Sequence, residues 1–89
     1  MNSDFIAEQA EAFAARVRSE AGADPRSQVV RAWRLAFAAE PSEKQVREAV
    51  EFLAGQAEIF RAKPQAAEER ALATFCQALL GANRFLYVD

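Results

Sequence analysis

Three junctions constrain this chain more than anything else in it. Gly22 leads into Asp24-Pro25, Glu40 into Pro41-Ser42, and Lys63 into Pro64. Glycine enters the left-handed conformation that closes a helix without strain. Proline pushes the residue before it out of the helical region, yet fits the first turn of the next helix. Each junction therefore stops one helix and starts another. All three prolines of the 89 residues are used this way, and only Gly55 and Gly81 remain as breakers elsewhere. Between the junctions, apolar residues recur every three or four positions, which is the helical period.

The spacing predicts four helices, at about 4–21, 25–39, 43–62 and 65–80. In the first, Asn2 or Ser3 caps the free amides, and Phe5, Ile6, Ala10, Phe13 and Val17 form one stripe. In the second, Val29, Val30, Trp33, Ala36 and Phe37 lie on one side, with Arg31, Arg34 and Ala38 opposite. The third opens on a capping box, Ser42 with Gln45, and carries Glu43 at the positive end of its dipole. Its main stripe is Val46, Ala49, Val50, Leu53, Ala57 and Phe60. Phe52 and Ile59, seven apart, form a second stripe about 100° away. A helix apolar on two flanks is either central or meets a partner. The fourth helix buries Leu72, Phe75, Cys76 and Leu79, and Gly81 or Asn83 takes a left-handed cap. Beyond it, residues 84–89 bring Phe85, Leu86, Tyr87 and Val88 together, and an exposed cluster of that kind is costly. The expectation is that this tail folds back and docks. Truncation before Phe85 is then expected to cost several kcal/mol. Short links make neighbouring helices antiparallel. The fold class expected is all-α: a compact single domain of four helices, sealed by the aromatic tail.

Composition limits the function classes. An apolar fraction of 52% supplies a core for one small domain without metal or disulfide. Eleven basic and thirteen acidic residues are well mixed, so no net field recruits nucleic acid or an anionic membrane. No run reaches the roughly 18 apolar residues of a membrane span, and no basic-then-apolar signal segment follows Met1. These points lead to a cytoplasmic expectation for a complete chain; a fragment would take the address of its parent.

Histidine is absent, which removes the usual general base and the commonest metal ligand. Cys76 sits within the apolar stripe of the fourth helix and reads as a small buried hydrophobe. The pairs Glu8/Glu11 and Glu48/Glu51 share helix faces off the apolar stripes and read as solvated. No Gly-rich phosphate loop is present. Trp33 and the phenylalanines have core spacing rather than that of a ligand pocket. No catalytic, cofactor or metal residue is expected. The second and third helices have roughly the linkage of a helix-turn-helix, with Lys44, Gln45 and Arg47 toward DNA and Arg31 and Arg34 on phosphates. Glu43, Glu48 and Glu51 on the same helix oppose that use.

Two further segments carry a resemblance. Arg31-Ala32-Trp33-Arg34-Leu35 followed by Pro41-Ser42, and the ending Cys76-Gln77-Ala78-Leu79-Leu80 with Asn83 and Phe85-Leu86-Tyr87-Val88-Asp89, resemble the C-terminal region of a family of large planctomycete proteins. Asn2-Ser3-Asp4-Phe5 with Glu8-Gln9-Ala10 resembles the start of that region, so the likeness spans essentially the whole chain. It departs at Gly81 (Asn in the family), at Arg84 (Glu) and at Ala38-Ala39, where the family has the Gly-Arg that ends a helix. The resemblance implies a planctomycete-specific domain of unknown function, found downstream of other such domains, sometimes with a cytochrome-c-like domain, in exported proteins. The haem-attachment pattern C-x-x-C-H is absent here, and the resemblance carries no catalytic residue with it.

The function expected is a non-enzymatic helical interaction or structural module. Phe52 and Ile59 are the candidate partner surface, and the partner is a protein: the rest of a parent chain or a second copy. Nucleic-acid binding and membrane insertion are not expected. The alternatives are an accessory fragment of a larger enzyme or cytochrome-like protein, and a DNA-binding helix-turn-helix.

Overall fold

The computed structural model describes residues 3–86, except the side chains of Ser3, Gln65 and residues 83–86. Its helices are α1 (Ser3–Ala21), α2 (Pro25–Phe37), α3 (Glu43–Ile59) and α4 (Pro64–Leu86), with no strand among the described residues. The all-α, four-helix expectation holds. The Cα radius of gyration is 12.5 Å, against about 12 Å for a compact chain of this length.

The junctions work as their chemistry requires. Gly22 is left-handed (φ 82°) and donates its N–H to the Arg18 carbonyl at 2.9 Å. The Asp24 carboxylate caps α2 by accepting from the backbone N–H and the hydroxyl of Ser27, both at 2.9 Å. Those bonds, the backbone one first, hold its pKa below the usual carboxylate range. The capping box of α3 is complete: the Gln45 N–H donates to Ser42 Oγ at 3.0 Å, and the Ser42 N–H donates to Gln45 Oε1 at 2.8 Å.

Three helix ends differ from expectation. α2 stops at Phe37 because Ala38 itself turns left-handed (φ 53°, ψ 37°) and donates its N–H to the Arg34 carbonyl. Here alanine does the work of a glycine, at a steric cost of about 1–2 kcal/mol. α3 stops at Ile59, where the Phe60 N–H tightens onto the Ala57 carbonyl at 3.1 Å. Phe60, expected in the main stripe, consequently ends up 38% exposed. α4 does not stop at Leu80. Its backbone stays helical through Gly81 and Asn83 to Leu86, and neither residue takes a left-handed cap. A single glycine weakens a helix by about 1 kcal/mol but does not break it when flanking residues favour it. Residues 84–86 thus extend α4, contrary to a tail folding back from residue 84. The docking expected of Tyr87, Val88 and Asp89, and of the Phe85 and Leu86 side chains, lies outside the described residues.

The core centres on α4, which packs against all three other helices. Val17 of α1, Val29 of α2, and Leu72 and Cys76 of α4 are fully buried. Burying a side chain such as Leu72 contributes about 1.5–3 kcal/mol. Around them lie Ala10, Ala14, Ala32, Ala49, Ala71 and Ala73, whose small side chains let the helices approach closely. Phe75 is buried, Phe13, Trp33 and Phe37 are half-buried, and Phe5, Phe52 and Phe60 are exposed. Trp33 meets Phe37 edge-on at 5.1 Å, and Phe52 leans on Phe75 at 6.3 Å. On α2 the buried line is Gln28, Val29 and Ala32 rather than the large apolar set alone. One pair of helices stays apart: no Cα of α1 comes within 8 Å of α3.

Candidate functional site

Two surfaces stand out, and both involve α3. The first is its outer face. Ile59 is 68% exposed and Phe52 38% exposed, so the second apolar stripe does point outward. Seven residues are nearly two turns, which stacks the two side chains on one line. Phe60, displaced from the core by the early helix end, joins them. Phe52 is anchored by its contact with Phe75, whereas Ile59 has no comparable support. Glu48 lies one turn before Phe52, and Lys63 lies about one turn beyond Ile59; both are exposed. A side chain added at Gly55, between the two apolar residues, would meet nothing within 4 Å, so the middle of this face is open.

The second surface is a groove of about 370 Å³ where α1 and α3 fail to meet. Val50, Leu53, Ala54 and Ala57 of α3 form one wall, and Ala71 of α4 contributes to the floor. Arg18 at the end of α1, with Ala23 and Pro25 of the following junction, forms the other side. Gln28 closes one end. The residue is 8% exposed, and its Nε2 donates to the Gly22 carbonyl at 2.8 Å. Glu68 and Glu69 of α4 stand exposed on the rim. A third, shallower depression between the start of α1 and Leu80 is lined by Phe5, Ile6 and Phe13.

The arginines divide sharply. Arg16 and Arg31 share Glu20, at 2.8 and 2.6 Å; Arg70 reaches Glu11 at 2.9 Å; Arg61 reaches Glu58 at 2.8 Å. Arg26 pairs with Glu43, and Arg34 pairs with Glu40. These bonds, from Arg16 first and then Arg31, lower the Glu20 pKa, and Arg34 lowers that of Glu40. The Arg18 and Arg47 side chains have no ion pair or hydrogen bond among the described residues; Arg47 is exposed, whereas Arg18 is half-buried in the groove. Sequence reasoning overlooked both Arg18 and Gln28. The available signal was position, since each polar residue is directly next to a fully buried valine, Val17 or Val29.

Reactive chemistry is sparse. Burial pushes the Cys76 thiol up to about 12, with the Arg18 charge a smaller opposing influence, so it is not a nucleophile near neutral pH. Glu8, Glu11, Glu48 and Glu51 are all exposed, and none lines the groove. Among the described residues no group of three or more potential ligands could hold a metal ion. Of the residues assigned to DNA, Arg31 and Arg34 are already paired with glutamates, and the Gln45 side chain is spent on the capping box. No helix is long and apolar enough to cross a membrane among the described residues. No protein-family model matches the chain, and no curated protein or solved structure is significantly similar to it.

Proposed function

We propose that this domain is a non-enzymatic interaction module whose contact surface is the outer face of α3, and that its partner is a second copy of the same chain. The observation that carries this reading is the outward alignment of Phe52 and Ile59 on one helix line, with Phe60 also exposed just past the helix end. Antiparallel pairing about a dyad near Gly55 and Gln56 supplies the partner. It sets Phe52 of one copy beside Ile59 of the other, twice by symmetry, and the open surface at Gly55 permits close approach. In a longer polypeptide of the resembled planctomycete kind, the same face is available to a preceding segment.

The patch is small beside the roughly 800 Å² per partner of a stable complex. Association is therefore weak and reversible, with a dissociation constant of about 10 μM or above. Sedimentation equilibrium from about 10 μM to about 1 mM tests it. The expected result is a mass rising toward twice the monomer, abolished by Ile59→Ser with the melting temperature unchanged. A constant monomer mass over that range overturns pairing.

A further inference from the structure

We propose that the groove between α1 and α3 binds a small amphipathic anion, an alkyl carboxylate in chemical type, with its head on Arg18 and its chain along Val50, Leu53, Ala54 and Ala57. This is independent of the outer face of α3, which lies on another side of that helix. The groove follows from the architecture. α1 and α3 both pack on α4 with no Cα of one within 8 Å of the other, and Ala54 and Ala57 of α3 with Ala71 of α4 line the space left between them. At about 370 Å³ it falls at the lower end of small-molecule sites, which run about 300–1,000 Å³. At the ~30 Å³ of a liquid water per heavy atom, it holds about twelve such atoms.

Arg18 supplies the recognition. A guanidinium withdrawn from water needs a charged partner or full hydrogen bonding. The other half-buried arginine, Arg31, has both through Glu20. Arg18 has neither among the described residues, and its five donors match a carboxylate in bidentate fashion. Glu68 and Glu69 on the rim set the valence of the ligand. They repel negative charge, less for a monoanion held on Arg18 than for nucleotides and other polyanions, which are disfavoured. The buried Gln28, already tied to the Gly22 carbonyl, gives the groove a rigid end.

Decanoate has about the right number of heavy atoms and tests the assignment. Titrating it below its micelle concentration into the full ¹⁵N-labelled chain is expected to shift the amide resonances of Arg18, Leu53 and Ala57 saturably. Arg18→Gln is expected to weaken decanoate about tenfold or more, the loss of one charge-assisted contact. The uncharged 1-decanol should change by less than about twofold, since it never used the charge. Ala57→Trp, which fills the groove, should abolish both. Equal affinity for decanoate and decanol, indifference to Arg18→Gln, or shifts confined to Phe52 and Ile59 would overturn the proposal. Because Ala57→Trp leaves Arg18 intact, a folding defect in one variant does not remove the other arm. Failure here leaves the pairing of α3 standing, because that is read from molecular mass.

Discussion

The seam between α1 and α4 and the gap between α1 and α3 are built from the same residue type to opposite effect. In the seam, Ala10 and Ala14 are almost fully buried, and their small size draws the two backbones together. In the gap, Ala54 and Ala57 line open space, because no Cα of α1 comes within 8 Å of α3 and Arg18 is the one α1 residue, among those described, that lines it. An alanine stripe therefore signals either close packing or vacancy. Which one it becomes depends on whether the opposing helix is within reach. The same division separates the two charged residues beside the fully buried core: Arg31 pairs with Glu20, whereas Arg18 makes no ion pair among the described residues, although Glu68 and Glu69 line the same groove.

The largest test of this contrast is Leu72→Ala. Leu72 is fully buried on the helix that the other three share, and its truncation is expected to remove about 2–5 kcal/mol of stability in urea unfolding. A loss below about 1 kcal/mol would mean that the α4 seam is not tightly packed. A paired enlargement sharpens the point. Ala14→Leu should destabilise by about 1–3 kcal/mol through overpacking, while Ala57→Leu should lie within about 0.5 kcal/mol of the parent. Equal costs at the two positions would show that the groove closes in solution.

A smaller effect concerns Cys76. Burial raises its thiol from 9.0 to about 12 in the folded state. The thiol should resist alkylation at pH 8 until the chain unfolds. The unfolded state sheds this proton first as pH rises, so the contribution to stability is complete below pH 9 and is lost between about 9 and 12. Chemical denaturation at pH 8 and pH 10.5, compared with Cys76→Ala, isolates that loss. An alkaline dependence identical in the two proteins would place the thiol in water.

Much of the fold was legible because it rests on local chemistry. The cap at Asp24, the box of Ser42 and Gln45, and the left-handed turn at Gly22 involve residues a few positions apart, and each formed as read. The buried face of α4 at Leu72, Phe75, Cys76 and Leu79 was also legible, because four apolar residues at helical spacing have one way to leave water together. The outward line of Phe52 and Ile59 followed from the same periodicity. The ends of α2, α3 and α4 were harder. A left-handed Ala38 is not favoured by propensity, although its N–H closes the helix on the Arg34 carbonyl. Gly81 reads as a stop by residue type, yet the helix runs through it.

By itself, then, the order of residues decided how many helices form, where three of them begin, and which faces avoid water. Those properties depend on neighbours within a turn or two along the chain. Tertiary structure alone decided that α1 and α3 stand apart, that Phe60 is exposed, and that Arg18 faces a groove in which it makes no ion pair among the described residues. Each of these depends on the distance between segments remote in sequence, which is set by how the helices seat on α4 and which no local pattern encodes.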